Sequence, residues 1–254
     1  LNTFFIENFQ NKELGVDELA SGIKLLPLKL DTNQLIGKIK DACCIGDTIY
    51  LLDEMTASIY SFDMKDGKRI SCICKKGNGP NEYVNPVALS TDLGKLYVLD
   101  MPTSRIIEFD KNLNAIRDLK FNFPSSDFIA INTGFLLYNL VPNSKLNKYV
   151  YLNNKGECIT SFIPVDKNYS PNNNSFGNLG KSFVKDEYER VFVSESYRNI
   201  IYKWEKEELI PFYRIDFGKL NVPLSMNNNR TNLFEEPYAF HSNSFVFSEI
   251  LIPS

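Results

Sequence analysis

Polar residues with oxygen-bearing side chains recur along the chain at the start of short apolar segments. They are Asp41, Asn85, Asp127 and Glu236, with Ser182 as a weaker fifth member. If the apolar segments are equivalent strands of a repeated unit, these side chains converge on one mouth of a central channel. Carboxylate and amide oxygens there could bind Ca²⁺ or a polar ligand. The competing interpretation is that they accept hydrogen bonds from backbone groups at the strand starts, or face water.

A second set of polar residues ends apolar segments and precedes turns. The set comprises Asp53, Asp100, Asn139, Glu195 and Glu249. Carboxylates that lie close together can act as general acid and base. Asp and Asn side chains also accept hydrogen bonds from the backbone of a turn that follows them. The position before a turn favours the capping role.

Side chains for ligand contact would come from the loops. Aromatic rings offer apolar faces for stacking. The loop candidates are Tyr83, Tyr169, Phe176 and Tyr238. Arg105 is a candidate contact for a partner, although its place in a turn also suits a structural hydrogen bond. His241 is the single histidine, and no nucleophile-elbow motif supports a Ser-His-Asp triad around it.

The composition argues against several classes of protein. Five cysteines without CxxC spacing favour small buried hydrophobes over a zinc site, a redox pair or a disulfide framework. A net charge of −3 without a long basic run argues against wholesale binding to nucleic acid or to a membrane surface. No apolar run approaches the roughly 18 residues needed to cross a bilayer. Any export signal would lie before Leu1.

An internal repeat predicts the architecture. Residues 48–68 align without gaps on residues 95–115 and 190–210, a looser copy lies at 135–157, and another begins at 244–249. Short segments rich in Ile, Val, Tyr and Phe, separated by Gly, Asn, Asp and Pro, indicate strands and turns. In one unit the predicted strands are 86–90, 95–100, 104–110 and 115–121. The spacing suits a four-stranded unit of roughly 40 to 50 residues.

Four-stranded meanders bury both faces when they pack on copies of themselves around an axis. We therefore predict an all-β chain, a β-propeller of four-stranded antiparallel blades, with about four and a half blades present. Residues 1–20 form a lead segment and residues 21–254 the propeller domain. The blades are predicted at about 37–75, 85–121, 127–164 and 182–217, with an incomplete blade at 236–254.

The glycine-rich stretch CKKGNGPNEYVNP, residues 74–86, is predicted to connect two blades. Gly77 and Gly79 allow positive φ, Pro80 restricts φ, and Asn81 tolerates the left-handed region. A phosphate-binding loop would need GK[ST] leading into a helix, whereas a predicted strand follows here. The stretch is therefore interpreted as the turn from an outer strand to the next inner strand.

Residues 21–121 resemble the six-bladed, NHL-repeat-like propeller proteins, often lipoproteins, that Gram-negative gut anaerobes export. The GxGPxEY loop at 77–83, the segment LIGKIKDACCIGDTIYLLD at 35–53 and GIKLLPLKLD at 22–31 carry the likeness. Asn81 stands where that family usually has glycine. The resemblance implies a six-bladed ring when complete, so that this chain is part of a longer propeller. It also implies that residues 22–31 form the strand that closes the ring.

The favoured function is a non-catalytic protein of the periplasm or cell surface that presents one propeller face to a glycan, a peptide or a partner protein. The expected contacts are Asp41, Asn85, Tyr83, Arg105, Asp127, Glu236 and Tyr238. No cofactor and no nucleic-acid partner are expected. Contact with a membrane is expected only through an N-terminal lipid anchor outside this chain. The alternative is a hydrolase or lyase that uses a divalent cation, Ca²⁺ for example, held in the channel by Asp41, Asn85, Asp127 and Glu236.

Overall fold

A computed structural model of the chain describes residues 1–6, 22, 24–31, 35–143, 145–164, 181–194 and 199–218. In these ranges the chain is all-β, as predicted, and forms four sheets in chain order. Within the same ranges, no helix is long and apolar enough to cross a membrane. The predicted blade at 236–254 lies outside the described residues, together with Tyr169, Phe176, Glu195, Glu236, Tyr238, His241 and Glu249.

Each sheet contains a four-stranded antiparallel meander of consecutive strands. Sheet 1 consists of β2 (Ile39–Ile45), β3 (Thr48–Asp53), β4 (Ile59–Asp63) and β5 (Arg69–Ile73). Sheet 2 consists of β6 (Pro86–Asp92), β7 (Lys95–Asp100), β8 (Arg105–Phe109) and β9 (Ala115–Lys120). Sheet 3 consists of β10 (Ser125–Ile131), β11 (Gly134–Asn139), β12 (Tyr149–Asn153) and β13 (Cys158–Phe162).

Sheet 4 has a fifth strand from the N-terminus of the chain. Its meander is β14 (Phe183–Lys185), β15 (Val191–Ser194), β16 (Ile200–Glu205) and β17 (Glu208–Asp216). The additional strand β1 (Asn2–Phe5) pairs in parallel with β17. Part of the predicted lead segment is therefore built into sheet 4.

Apolar clusters join each sheet to the next. Tyr50 and Ile59 of sheet 1 pack in one cluster with Val98 and Phe109 of sheet 2. Equivalent clusters join sheet 2 to sheet 3 and sheet 3 to sheet 4. The second and third strands of sheets 1 to 3 are almost wholly buried because both of their faces are covered. Continuous apolar runs such as KLYVLD are typical of strands in that environment.

The first strands of successive sheets lie beside one another: β2 contacts β6, β6 contacts β10, and β10 contacts β14. Each outer strand of sheets 1 to 3, in contrast, leaves an isoleucine about half exposed. The sheets are therefore stacked with their first strands on one side and their last strands on the other, an arrangement consistent with blades.

Residues 24–31 lie against sheet 1. The Lys29 N–H donates to the Gly67 carbonyl over 2.8 Å, and Leu28 and Leu30 pack on Tyr60 and Phe62. This segment makes a single isolated bridge to the sheet, between Lys29 and Lys68. It covers a face of sheet 1 that would otherwise expose aromatic side chains.

Candidate functional site

Several of the polar residues predicted from the sequence lie where the first strands begin. We call this end of the molecule the loop face; in the described residues it comprises 35–38, 74–85, 121–124 and 181–182. These segments lead into β2, β6, β10 and β14, respectively. Two sites on the loop face need separate description, one between the first strands and one in the 74–85 loop.

Side-chain hydrogen bonds join each first strand to the next. Asp41 Oδ2 accepts from the Leu89 N–H over 2.8 Å, which links sheets 1 and 2. Ser90 Oγ accepts from the Ala130 N–H over 2.9 Å, which links sheets 2 and 3. The Asp127 carboxylate accepts from the N–H of Ser182, just before β14, over 2.5 Å. These side chains thus satisfy backbone donors of the neighbouring sheet.

Lys181 brings a positive charge to the same place. Its ammonium lies 2.5 Å from Asp41 Oδ1, and its side chain is about half exposed, whereas that of Asp41 is 5% exposed. Burial raises the pKa of Asp127 to about 7, although the Ser182 N–H and the Lys181 charge act in the opposite direction. We call Asp41, Asp127 and Lys181 the axial cluster, since they come from sheets 1 and 3 and from the segment before sheet 4.

Asn85 does not join the axial cluster. The first strands of sheets 1, 2 and 3 have a β-bulge at the same place, and Asp41, Ala88 and Asp127 are the residues that follow it. Alanine therefore occupies the equivalent position in sheet 2, whereas Asn85 is exposed and its N–H donates to Asp100 Oδ1 over 2.7 Å. Within the described ranges, no group of three or more His, Cys, Asp or Glu is placed to hold a metal ion.

The members of the second polar set that the structure describes, Asp53, Asp100 and Asn139, cap turns, as predicted. Asp53 accepts from the Met55 N–H over 3.1 Å and from the Thr56 hydroxyl over 2.8 Å in the turn after β3. It also accepts from the Lys38 N–H over 3.0 Å, in the segment that leads into β2. Burial alone would raise the pKa of Asp53, but these hydrogen bonds lower it below the usual range. Asp100 accepts from the Asn85 N–H in the segment that leads into β6 and from the Thr103 hydroxyl in the turn after β7. Asn139 accepts from the Val141 N–H in the turn after β11.

Arg105 is inside the protein and holds the 74–85 loop. Its guanidinium donates to the Gly79 carbonyl over 3.1 Å and to the Glu82 carbonyl over 2.9 Å. It also donates to Asp118 Oδ2 over 3.1 Å, and its side chain is 4% exposed. All of these partners are protein groups, so the structural hydrogen bonds anticipated for this residue are present.

Tyr83 is buried as well, at 0% exposure in the cluster between sheets 1 and 2. Its hydroxyl accepts from the Lys75 N–H over 3.2 Å and is 3.4 Å from the Ile73 carbonyl. The ring is thus part of the core rather than of a surface available for stacking.

The glycines of this loop are explained by close approach rather than by positive φ. Asn81 has a φ of 60°, in the left-handed region that asparagine tolerates. Gly77 and Gly79, in contrast, do not have a positive φ. A Cβ atom on Gly77 would collide with the Glu82 carboxylate. That carboxylate accepts from the Gly79 N–H over 2.8 Å. Glycine here leaves room for the Glu82 side chain to fold back over the loop.

The outer side of the loop surrounds an open polar cavity of about 400 Å³. The cavity is lined by Cys74, Lys75, Lys76, Pro80, Asn81 and Glu82. The Lys75 ammonium is 5.8 Å from the centroid of the Phe109 ring. From this stretch the sequence pattern predicts only Tyr83 and Asn85 as contacts, and neither lines the cavity. The signal for the lining residues is the pair of lysines directly before the glycines. We call these six residues the loop cavity.

Solved structures share this fold at low sequence identity. A protein of Bacteroides fragilis described as exported has a TM-score of 0.70 and 16% identity over 91% of this chain and 64% of its own. A member of the DUF4221 family from Bacteroides vulgatus has a TM-score of 0.53 and 17% identity over 77% of this chain and 62% of its own. The chain thus spans less than two thirds of either protein.

No curated protein matches the chain in sequence. A family model does match, over residues 1–252. The chain therefore belongs to the family described as domain of unknown function DUF4934.

Proposed function

We propose that this protein is an exported, non-catalytic binding protein whose loop face contacts a soluble ligand. The observation that carries the proposal is the loop cavity: an open polar cavity of about 400 Å³ on a loop that buried side chains hold in place. Its volume is within the range of about 300 to 1,000 Å³ found for small-molecule sites, whereas its lining is more polar and more open than in most of them. In this proposal the four sheets are blades of a six-bladed propeller that displays the loop.

The hydrogen bonds of the loop support binding because they reduce the conformational freedom that a ligand would have to remove. The Arg105 guanidinium donates to two backbone carbonyls of the loop, and the Asp118 carboxylate accepts from the Asn81 N–H over 3.1 Å. The Tyr83 hydroxyl accepts from the Lys75 N–H. A site whose conformation is set before the ligand arrives binds with less loss of entropy.

The use of the buried carboxylates supports a non-catalytic role. Asp41, Asp53, Asp100 and Asp127 each accept hydrogen bonds from backbone N–H groups, and Asp41 also pairs with Lys181. These interactions stabilise contacts between strands and around turns. The export part of the proposal is supported by the description of the Bacteroides fragilis neighbour and by the resemblance to exported propeller proteins.

Saturation-transfer NMR tests the proposal with a library of neutral and acidic mono- and disaccharides and of dipeptides. We expect at least one compound to bind, to be recovered chemically unchanged, and to lose its signal with Lys76→Glu. Lys155→Glu is the matched control, since Lys155 is exposed in a turn of sheet 3 outside the loop face. A library without binders, or binding that Lys76→Glu leaves intact, would contradict the proposal, and consumption of the compound would favour the cation-dependent hydrolase or lyase.

A further inference from the structure

We infer that the loop cavity binds a hydroxylated anion, that is, a sugar-like molecule bearing a carboxylate, sulfate or phosphate group. The inference rests on the proposed function and adds the chemical class of the ligand. It depends on which polar groups around the cavity are already bonded within the protein and which remain available to a ligand.

Two lysines, Lys75 and Lys76, line the cavity. Among the described residues neither forms an ion pair with a carboxylate. Several other lysines near the loop-face ends of the strands do pair, for example Lys38 and Lys40 with Glu54. The Lys75 ammonium lies 5.8 Å from the centroid of the Phe109 ring, a cation–π contact that attracts the charge to the ring face without neutralising it. Two adjacent lysines without a carboxylate partner among the described residues therefore border the cavity.

The remaining groups suit hydroxyls. One oxygen of the Glu82 carboxylate accepts from Gly79, which leaves the other as an acceptor for a ligand hydroxyl. The Asn81 N–H is bonded to Asp118, and Asn81 is one of the residues that line the cavity; its side-chain amide can donate and accept. Lys75, Lys76 and Glu82 give the residues that line the cavity a net charge of about +1 at neutral pH, in a protein whose net charge is −3.

This pattern discriminates among ligands. A purely apolar ligand would leave the polar groups without partners, and a neutral sugar would leave both ammoniums unpaired. A simple inorganic anion would pair with the lysines but would offer nothing to Glu82, whose charge would repel it. A ligand with an anionic group at one end and hydroxyls beside it pairs with all of these groups. The positive charge is local, so it does not conflict with the overall acidity of the chain.

Isothermal titration calorimetry distinguishes the sources of the anionic group. The probes are glucuronate, glucose 6-sulfate, glucose 6-phosphate, neutral glucose and inorganic sulfate. We expect at least one of the three anionic sugars to bind more tightly than both glucose and sulfate, by about threefold to tenfold. Raising the salt from about 20 mM to about 500 mM should weaken this binding, because salt screens exposed charges.

Two variants keep the side-chain stems while removing the charges. Lys75→Met and Lys76→Gln should each weaken binding of the anionic sugar about threefold or more and leave any binding of glucose unchanged. Lys155→Gln is the control, and circular dichroism of each variant checks that the fold is retained. Binding of neutral sugars or dipeptides at the loop with no preference for the anionic sugars would overturn this inference while leaving the proposed function intact. If none of these probes binds but the NMR library contains another binder at the loop, only this inference is overturned; a library without any binder as well would overturn both.

Discussion

At the scale of single residues, the structure assigns structural roles to side chains whose types suggested ligand contact. Arg105 lies in β8 and Tyr83 in the 74–85 loop. The side chain of each forms hydrogen bonds with backbone groups of that loop. Their residue types could not reveal this, because the same guanidinium or phenol serves equally well at a surface. The distinction depends on burial, which follows from how sheets 1 and 2 pack around the loop.

Replacing Arg105 should destabilise the protein strongly. Arg105→Met would leave the Gly79 and Glu82 carbonyls and Asp118 without their buried donor, and we expect a loss of about 3 kcal/mol in the free energy of unfolding. Arg105→Lys should lose less, since one ammonium can replace some of these bonds. Urea denaturation measures both. Arg214→Met, at an exposed position in β17, should leave the urea midpoint close to that of the wild type, and an equally small effect at Arg105 would contradict its assigned role.

Asp127 should make stability depend on pH. Its pKa is raised to about 7 in the folded state, so the native protein keeps a proton that the unfolded chain releases near pH 4. The free energy of unfolding should therefore fall as the pH rises from about 4 to about 7, by about 2 to 4 kcal/mol, and stay level above that window.

Urea denaturation at several pH values, compared with Asp127→Asn, isolates this contribution, because the variant should lack that part of the slope. A direct NMR titration of the Asp127 carboxyl group gives an independent check. A midpoint below pH 5 would contradict the expected pH dependence.

At the scale of strands and sheets, the sequence pattern predicted much of what the structure contains. The strands predicted at 86–90, 95–100, 104–110 and 115–121 correspond to β6, β7, β8 and β9 within one or two residues. Apolar runs and turn residues carry that information directly. The pattern does not reveal the β-bulges that follow Ile39, Pro86 and Ser125. Each bulge shifts the register between the first and second strands of its sheet without a change in the residue types of the strand. The bulge is common to the three sheets, so it does not explain the position of Asn85. Asp41 and Asp127 each lie 12 residues before the turn-capping residue of their sheet, and Ala88, rather than Asn85, has that spacing in sheet 2.

The contact of residues 24–31 with sheet 1 can be tested at Gly67. Gly67 has a φ of 69°, and a Cβ atom there would collide with the Pro27 carbonyl. Gly67→Ala should therefore destabilise the protein and increase hydrogen exchange at the Lys29 amide, which donates to Gly67. Gly46→Ala is a matched control. Gly46 also has a positive φ, 55°, but a Cβ atom added there would have no neighbouring atom within 4 Å. Equal hydrogen exchange of Lys29 in the two variants would contradict the packing of this segment.

At the scale of the whole molecule, the repeated sheets form a scaffold whose connecting loops differ in sequence. The stacked sheets keep their first strands together through Asp41, Ser90 and Asp127, and the loops between sheets are free to differ from one another. The loop between sheets 1 and 2 carries the lysines of the loop cavity. A repeat found in the sequence predicts the scaffold, but it cannot predict which connecting loop encloses a cavity.

A crystal structure of the protein soaked with the tightest-binding anionic sugar tests the central claim most directly. The account predicts the ligand in the loop cavity, with its anionic group next to the Lys75 and Lys76 ammoniums and a hydroxyl next to Glu82. A ligand bound at the axial cluster, or at the opposite end of the sheets, with the loop cavity empty, would contradict it.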